Sequence, residues 1–252
     1  MKPLAKVLVA SITLVAAHAH AIDDAQLAAL VDQRLAGDRT GACMAVAVIE
    51  KEAVARTFRC ADPKSTRRID ASTAFEIGSI SKTMTAVLLA DLIKQGKAAL
   101  DDPLAEYLPE GTKLPTFEGR PILLRHVVTH TSGLPALPSR MGTVNMDDPY
   151  ADLGEDALLA SLGDVTLAVA PGTAFEYSNF ASMLLSLAVA RRAGEDLEAL
   201  LKQRLFAPLG MRHAYINAPP EGVRAATGHA PNAKPVSAWH FATDLAGGRD
   251  CP

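Results

Sequence analysis

Apolar positions change their spacing several times along the chain, and each change marks an element. Over residues 22–35, Leu27, Leu30, Val31 and Leu35 recur at helical intervals, Asp23 or Asp24 can cap the start, and Gly37 ends the run. Residues 41–50 and 53–60 read instead as the arms of a hairpin turning at Lys51-Glu52, with 45–49 apolar on both faces as in a covered strand. A connector rich in Arg and Lys, 61–71, leads to a segment that loses nearly all polarity. Over 79–95, Met84, Val87, Leu88 and Leu92 stand among alanines, and apart from Lys82 the first charge is Asp91. That pattern predicts a core helix about 25 Å long at 1.5 Å per residue, closed by Gln95-Gly96.

Beyond it the spacing predicts a short helical piece at 104–108 and a helix over 122–134 that runs into the loop Thr129-His130-Thr131-Ser132-Gly133-Leu134-Pro135. A helix over 156–162 follows, then a turn at Pro171-Gly172-Thr173 and an extended piece, 174–177. Ser178 or Asn179 caps a helix over 180–192 whose apolar face carries Met183, Leu184, Leu187 and Val189; another helix covers 197–205. After Ala218 periodicity disappears. Asp101-Asp102-Pro103 and Asp147-Asp148-Pro149 read as helix caps with proline in the first turn rather than as acid/base pairs. No internal repeat, and no linker that would split the chain into independent domains, is evident.

The first residues are read apart from the fold. Lys2 and Lys6 precede an apolar run, 7–17, and Ala17, Ala19 and Ala21 alternate, the pattern of a signal peptide cleaved after Ala21. We therefore expect a periplasmic or secreted monomer of residues 22–252 with no stable membrane span. Its formal charge would fall from −3 to −5 on losing Lys2 and Lys6. Without a basic stripe and interleaved aromatics, nothing suggests nucleic acid as a partner. Export makes a disulfide admissible. In the hairpin register Cys43 faces Cys60 in a non-hydrogen-bonded pair, where side chains lie closer, so these two form the candidate bond, against the alternative of two buried thiols. Cys251 has no evident partner.

The candidate chemistry sits at the mouth of the apolar helix. Ser79 and Lys82 stand three residues apart, about 5–6 Å at Cβ if helical, so the amine can take the hydroxyl proton. Ser79 follows Gly78 at a helix start, where backbone N–H groups favour a developing anion. Burial disfavours an ammonium, which is how a lysine is made a base. The competing reading makes Ser79 an N-cap and lets Lys82 reach solvent. Tyr177-Ser178-Asn179 supplies a second cluster: a phenol to shuttle a proton to a leaving group, and an amide to bind substrate. Its competing reading is a buried tyrosine and a capping Asn. His126 and His130 have the i, i+4 spacing of zinc ligands, but Val127 stands where a zincin requires Glu, so we expect no metal and no cofactor, and expect both histidines to hydrogen-bond within the loop packing. Ser132 is outside a G-x-S-x-G elbow, since His130 replaces the first glycine.

Phe75-Glu76-Ile77-Gly78-Ser79-Ile80-Ser81-Lys82 resembles the active-site signature of class C β-lactamases, and Tyr177-Ser178-Asn179 is similar to that family's Y-x-N motif. Leu124-Arg125-His126-Val127-Val128-Thr129-His130-Thr131-Ser132-Gly133-Leu134, Pro171-Gly172-Thr173 and Pro208-Leu209-Gly210-Met211 extend the resemblance over about 41–245. It implies an α/β (α+β) fold of the β-lactamase/transpeptidase type: a sheet-and-helix part beside a helical one, with the nucleophile helix between them. It also implies acylation of Ser79 by a β-lactam, peptide or ester carbonyl and then hydrolysis, with Lys82 as base, Tyr177 as shuttle, Asn179 on the substrate and the Ser79 N–H in the oxyanion hole.

The family's third motif, K-T-G or a variant on a later strand, does not occur here. In relatives that strand supplies the second oxyanion donor, whose loss costs roughly 10²–10³ in turnover. The expectation is thus a C-terminally truncated copy, its last sheet strands missing, its hairpin a marginal two-stranded sheet, and its turnover low. The alternative from another class is a non-catalytic binding or vestigial module on the same scaffold.

Overall fold

In the computed structural model the described residues are 21–62, 68–142, 148–230, 232 and 234–240. The leader up to residue 20, Asp147 and Cys251 lie outside them. Contacts divide the chain into two compact units, Met1–Ala71 and Ser72–Pro252. Among the described residues no helix is long and apolar enough to cross a membrane.

The first unit is a helix on a hairpin. Helix α1, Asp24–Leu35, opens on a reciprocal capping box: the Asp23 carboxylate accepts the Gln26 N–H and the Gln26 side chain accepts the Asp23 N–H. It buries Leu27, Ala28, Val31 and Leu35, while Leu30, expected on that face, is 55% exposed. Strands β1, Cys43–Glu50, and β2, Ala53–Cys60, pair antiparallel with Cys43 opposite Cys60, and the two sulfurs are bonded across a Cα separation of 4.0 Å. The outward Arg56 N–H of β2 donates to Asp24 Oδ1 at 2.7 Å, so α1 closes part of that strand edge. The covered strand expected at 45–49 is not observed: Ile49 is 73% exposed and its partner Val54 45%. The Lys-Glu turn holds Lys51 at φ +56°, a conformation better suited to glycine.

In the second unit β3, Thr73–Ala74, pairs in parallel with β4, Arg224–Ala225, a strand that no periodicity announced. A 3-10 turn over Gly78–Ile80 feeds α2, Ser81–Lys94, so the regular helix begins two residues later than expected. Gly96 (φ +70°) ends it: its N–H bonds Ile93 O while the Lys97 N–H bonds Leu92 O, the paired bonds of a Schellman motif. Only one face of α2 is buried, through Thr85, Leu88, Leu89 and Leu92; Ile80, Thr83, Val87 and Ala90 form an exposed row.

Helix α3, Leu124–Val128, is far shorter than the helix expected over 122–134. Its first N–H groups are satisfied from outside, Leu124 by Asp102 O and Arg125 by Leu100 O. His130 then takes φ +55° and ends helical geometry. The 3-10 turn Leu104–Tyr107 has Pro103 as its N-cap, not its first helical residue, and Asp102 caps nothing there; its carboxylate accepts the Ala99 N–H and the Tyr107 hydroxyl. Asp148 departs from the capping expectation as well, taking the His240 N–H and ring nitrogen instead.

Helix α4 spans Glu155–Leu162, α5 Asn179–Ala193 and α6 Leu197–Leu201, continuing through a wider π turn, Lys202–Phe206. The true core helix is α5. Phe180, Ala181, Leu184, Leu187, Ala188 and Ala190 are essentially inaccessible, over about half the circumference of the helix at 3.6 residues per turn.

Candidate active site

Ser79 occupies the middle of the 3-10 turn, and the backbone explains how it is presented. Gly78 has φ +52° with no atom within 4 Å of where a Cβ would lie, so conformation, not crowding, calls for glycine. Ser81 Oγ donates back to Gly78 O at 2.8 Å and locks the bend. Ser79 itself does not cap the helix with its side chain; its hydroxyl points to other partners.

Those partners are Lys82 and Tyr177. Lys82 Nζ lies 3.0 Å from Ser79 Oγ, and Tyr177 OH lies 2.6 Å from the same oxygen, 98 residues away in sequence. The ammonium is also 5.2 Å from the centroid of the Tyr177 ring. Its hydrogen bond with Lys82, and then that with Ser79, holds the Tyr177 phenol below its ordinary range. Lys82 is half-buried and Ser79 exposed, so the apolar enclosure expected for the amine is not what surrounds it. The three groups form one hydrogen-bonded cluster nonetheless: an amine and a phenol meet on a single hydroxyl oxygen.

The Y-x-N segment is held by its helix. Ser178 is the N-cap of α5, its Oγ accepting the Ala181 N–H at 2.9 Å and donating to Pro135 O at 2.6 Å. Asn179 is thereby the first helical residue and not the cap; it makes no hydrogen bond to Ser79, Lys82 or Tyr177.

The histidines bond inside the loops, as expected. His126 Nδ1 accepts the Leu123 N–H at 3.1 Å, and His130 Nδ1 accepts the Ser178 N–H at 3.2 Å. Burial first, then the Arg125 charge, holds the His126 imidazole below its usual range; burial and then Lys82 do the same to His130. Sequence reasoning did not connect His130 with the site. Its imidazole lies against the Tyr177 ring at a centroid distance of 4.5 Å, and its positive φ was the one local signal, invisible before the backbone is known. Ser132 is buried and its Oγ accepts the Leu134 N–H.

A family model described as Beta-lactamase matches residues 27–248. The chain belongs to the beta-lactamase family. It is 32% identical over 182 residues to the D-alanyl-D-alanine-carboxypeptidase/endopeptidase AmpH of Escherichia coli K12, covering 72% of this chain and 47% of that protein. It is 34% identical to a beta-lactamase of the same organism, covering 70% of this chain and 44% of the relative. Esterase EstB of Burkholderia gladioli is 30% identical, with 78% and 53% covered. The chain thus spans about half the length of the curated relatives it matches. Among solved structures, a class C beta-lactamase superposes with a TM-score of 0.71 at 27% identity, covering 91% of this chain and 62% of that one. A Yersinia pestis beta-lactamase/D-alanine carboxypeptidase complexed with citrate superposes at 0.69, also with 27% identity, covering 87% and 63%. The beta-lactamase/transpeptidase architecture expected from the resemblance is therefore the fold of the chain, and the family is one of serine hydrolases.

Proposed function

We propose that this beta-lactamase family chain is an exported serine hydrolase that forms an acyl-enzyme at Ser79 and cleaves a β-lactam amide. One observation carries the reading: a single hydroxyl oxygen, exposed on a glycine-set turn, lies within hydrogen-bond reach of both a lysine and a tyrosine. Ser79 gives its proton to the Lys82–Tyr177 pair as Oγ bonds to the substrate carbonyl carbon. The tetrahedral intermediate then collapses, the C–N bond of the lactam breaks, and Tyr177 returns the proton to the leaving nitrogen. Water repeats the sequence on the ester to release the acid. The Ser79 N–H serves as an oxyanion donor, and Asn179, two residues beyond Tyr177, binds the substrate amide. Export is supported by the leader pattern and by the Cys43–Cys60 bond, which an oxidising compartment preserves.

The names of the relatives keep a second reading in play: a D-Ala-D-Ala peptide or an ester would meet the same three residues. The test is incubation with benzylpenicillin followed by peptide mass spectrometry. One penicilloyl adduct on the Ser79 peptide, absent from Ser79→Ala, is the expected outcome; an adduct that persists in Ser79→Ala overturns the assignment. Parallel rates with a cephalosporin, a D-Ala-D-Ala peptide and a p-nitrophenyl ester rank the substrate classes.

A further inference from the structure

We propose that His130 is the positioning residue for Tyr177, a role that rests on the reading of Ser79, Lys82 and Tyr177 as the reacting groups. Three separate contacts tie the 175–178 segment to this one residue. The Glu176 N–H donates to His130 O at 2.8 Å, the Ser178 N–H donates to His130 Nδ1 at 3.2 Å, and the Tyr177 ring lies 4.5 Å from the imidazole with a 34° tilt. Tyr177 is therefore bracketed: the residue on each side is bonded to His130, and its own ring rests on the imidazole. Phe175 adds an edge contact to the same imidazole, with ring centroids 6.0 Å apart.

This grip needs His130 in the left-handed backbone region, φ +55°, which a residue with a Cβ adopts only under strain. The loop keeps that conformation because it turns the carbonyl and the ring of one residue toward the same segment. Because Nδ1 accepts a backbone N–H, it carries no proton, so the bonded form of the ring is the neutral tautomer with hydrogen on Nε2. A neutral ring against the phenol places no second cation beside Lys82. What His130 fixes is the angle and depth at which the phenol oxygen reaches Ser79.

The experiment reads Tyr177 itself. The chain has four tyrosines; the Tyr107 and Tyr150 phenols are pushed up, Tyr177 is pushed down, and the remaining one is Tyr215. In an ultraviolet titration near 295 nm the first ionisation is expected from the lowered Tyr177 phenol, and its loss in Tyr177→Phe assigns it. The titratable groups around it are Lys82, which lowers it, Tyr150, which it raises in turn, and His130. Two variants separate positioning from folding. His130→Gly keeps the backbone conformation without strain but removes ring and acceptor. His130→Asn tolerates positive φ and keeps an acceptor atom at the place of Nδ1.

In His130→Gly the first ionisation moves up toward the ordinary phenol range, and Ser79 acylation by benzylpenicillin slows by about 10²-fold, the cost of roughly an ångström of misplacement. The half-saturating penicillin concentration and the melting curve stay close to those of the parent. His130→Asn recovers part of both losses. An unchanged first ionisation in His130→Gly overturns the proposal, as does a His130→Asn variant no better than His130→Gly. Because the titration needs no turnover, it decides the role of His130 even if the parent chain forms no adduct, a result that would count against the proposed function alone.

Discussion

Removing one oxygen from Tyr177 separates proton transfer from everything else the residue does. In Tyr177→Phe the ring stays on His130, while the 2.6 Å bond to Ser79 Oγ disappears and only Lys82, at 3.0 Å, remains on the hydroxyl. A positioned acid/base is worth 10²–10⁴-fold. With the lysine still in place we expect the lower half of that range, about 10²–10³ in acylation rate, or roughly 3–4 kcal/mol of barrier at about 1.4 kcal/mol per tenfold. Folding stability changes far less. Tyr177 is 42% exposed, and its lowered phenol favours the ionised form, so this linkage stabilises the fold only at alkaline pH and fades as pH falls through the folded-state value. At neutral pH the variant loses the phenol's hydrogen bonds to Ser79 and Lys82, together about 1–2 kcal/mol at most at so exposed a site. Stopped acylation reactions read by intact mass, run from pH 6 to 10, are the assay. The parent should speed up as the Tyr177 phenolate forms, and the phenylalanine variant should lack that limb. Equal rates and equal pH profiles for the two would refute the role given to the phenol, and a collapsed melting transition in the variant would refute the claim that the hydroxyl contributes little to folding.

Three further outcomes follow from local geometry. Gly78→Ala should cost about 1–2 kcal/mol by chemical denaturation, all of it from the positive φ because the Cβ meets no atom, and should slow acylation by misdirecting Ser79. Replacing Cys43 and Cys60 together by serine opens a loop with a sequence separation of 17 and should lower stability by about 3 kcal/mol, measured by urea unfolding with and without reductant. Burial, followed by the bond to Asp102, pushes the Tyr107 phenol up to about 12. Its contribution to stability is therefore complete below the ordinary phenol value near 10 and is lost as pH climbs toward about 12, so the alkaline unfolding curve should steepen in that window and flatten in Tyr107→Phe.

What the sequence disclosed, it disclosed where chemistry and local geometry coincide. A serine and lysine three apart at a helix mouth need no tertiary knowledge to be paired, and the hairpin register followed from counting outward from its turn until Cys43 met Cys60. The cap of α5 was legible to within one residue: Ser178 or Asn179 could serve, and the cap is Ser178, whose Oγ also reaches Pro135 O. The failures are tertiary. Hydropathy marked α2 as the core helix, yet α5 holds the centre, because burial depends on which rows find neighbours rather than on how many residues are apolar. The helix expected over 122–134 stops at Val128 since distant groups claim the backbone beyond it: Glu176 bonds His130 O and Gly172 bonds Thr131 O. The link from His130 to Ser178 spans 48 residues, and β3 finds β4 about three-fifths of the chain away; neither leaves a periodic trace.

The environment of the cluster bears on which step of the proposed hydrolysis it would favour. Ser79 is exposed, Ile80 next to it is 61% exposed and Tyr177 42%, while Lys82 is half-buried, so the Ser79 and Tyr177 side chains face solvent. Proton transfer tolerates this, because it depends on contacts of 2.6 and 3.0 Å that water does not lengthen. Stabilising the oxyanion does not: a charge facing bulk solvent is screened, and a donor is worth far less there than in a closed site. A strained β-lactam carbonyl needs less of that stabilisation than an unstrained ester intermediate awaiting water. Acylation by a penicillin should therefore outrun release of the acid, and the adduct should accumulate. Comparing the rate of adduct formation with the rate of its decay after removal of free penicillin tests this directly, and decay faster than formation would show that the exposed cluster supplies more than proton transfer.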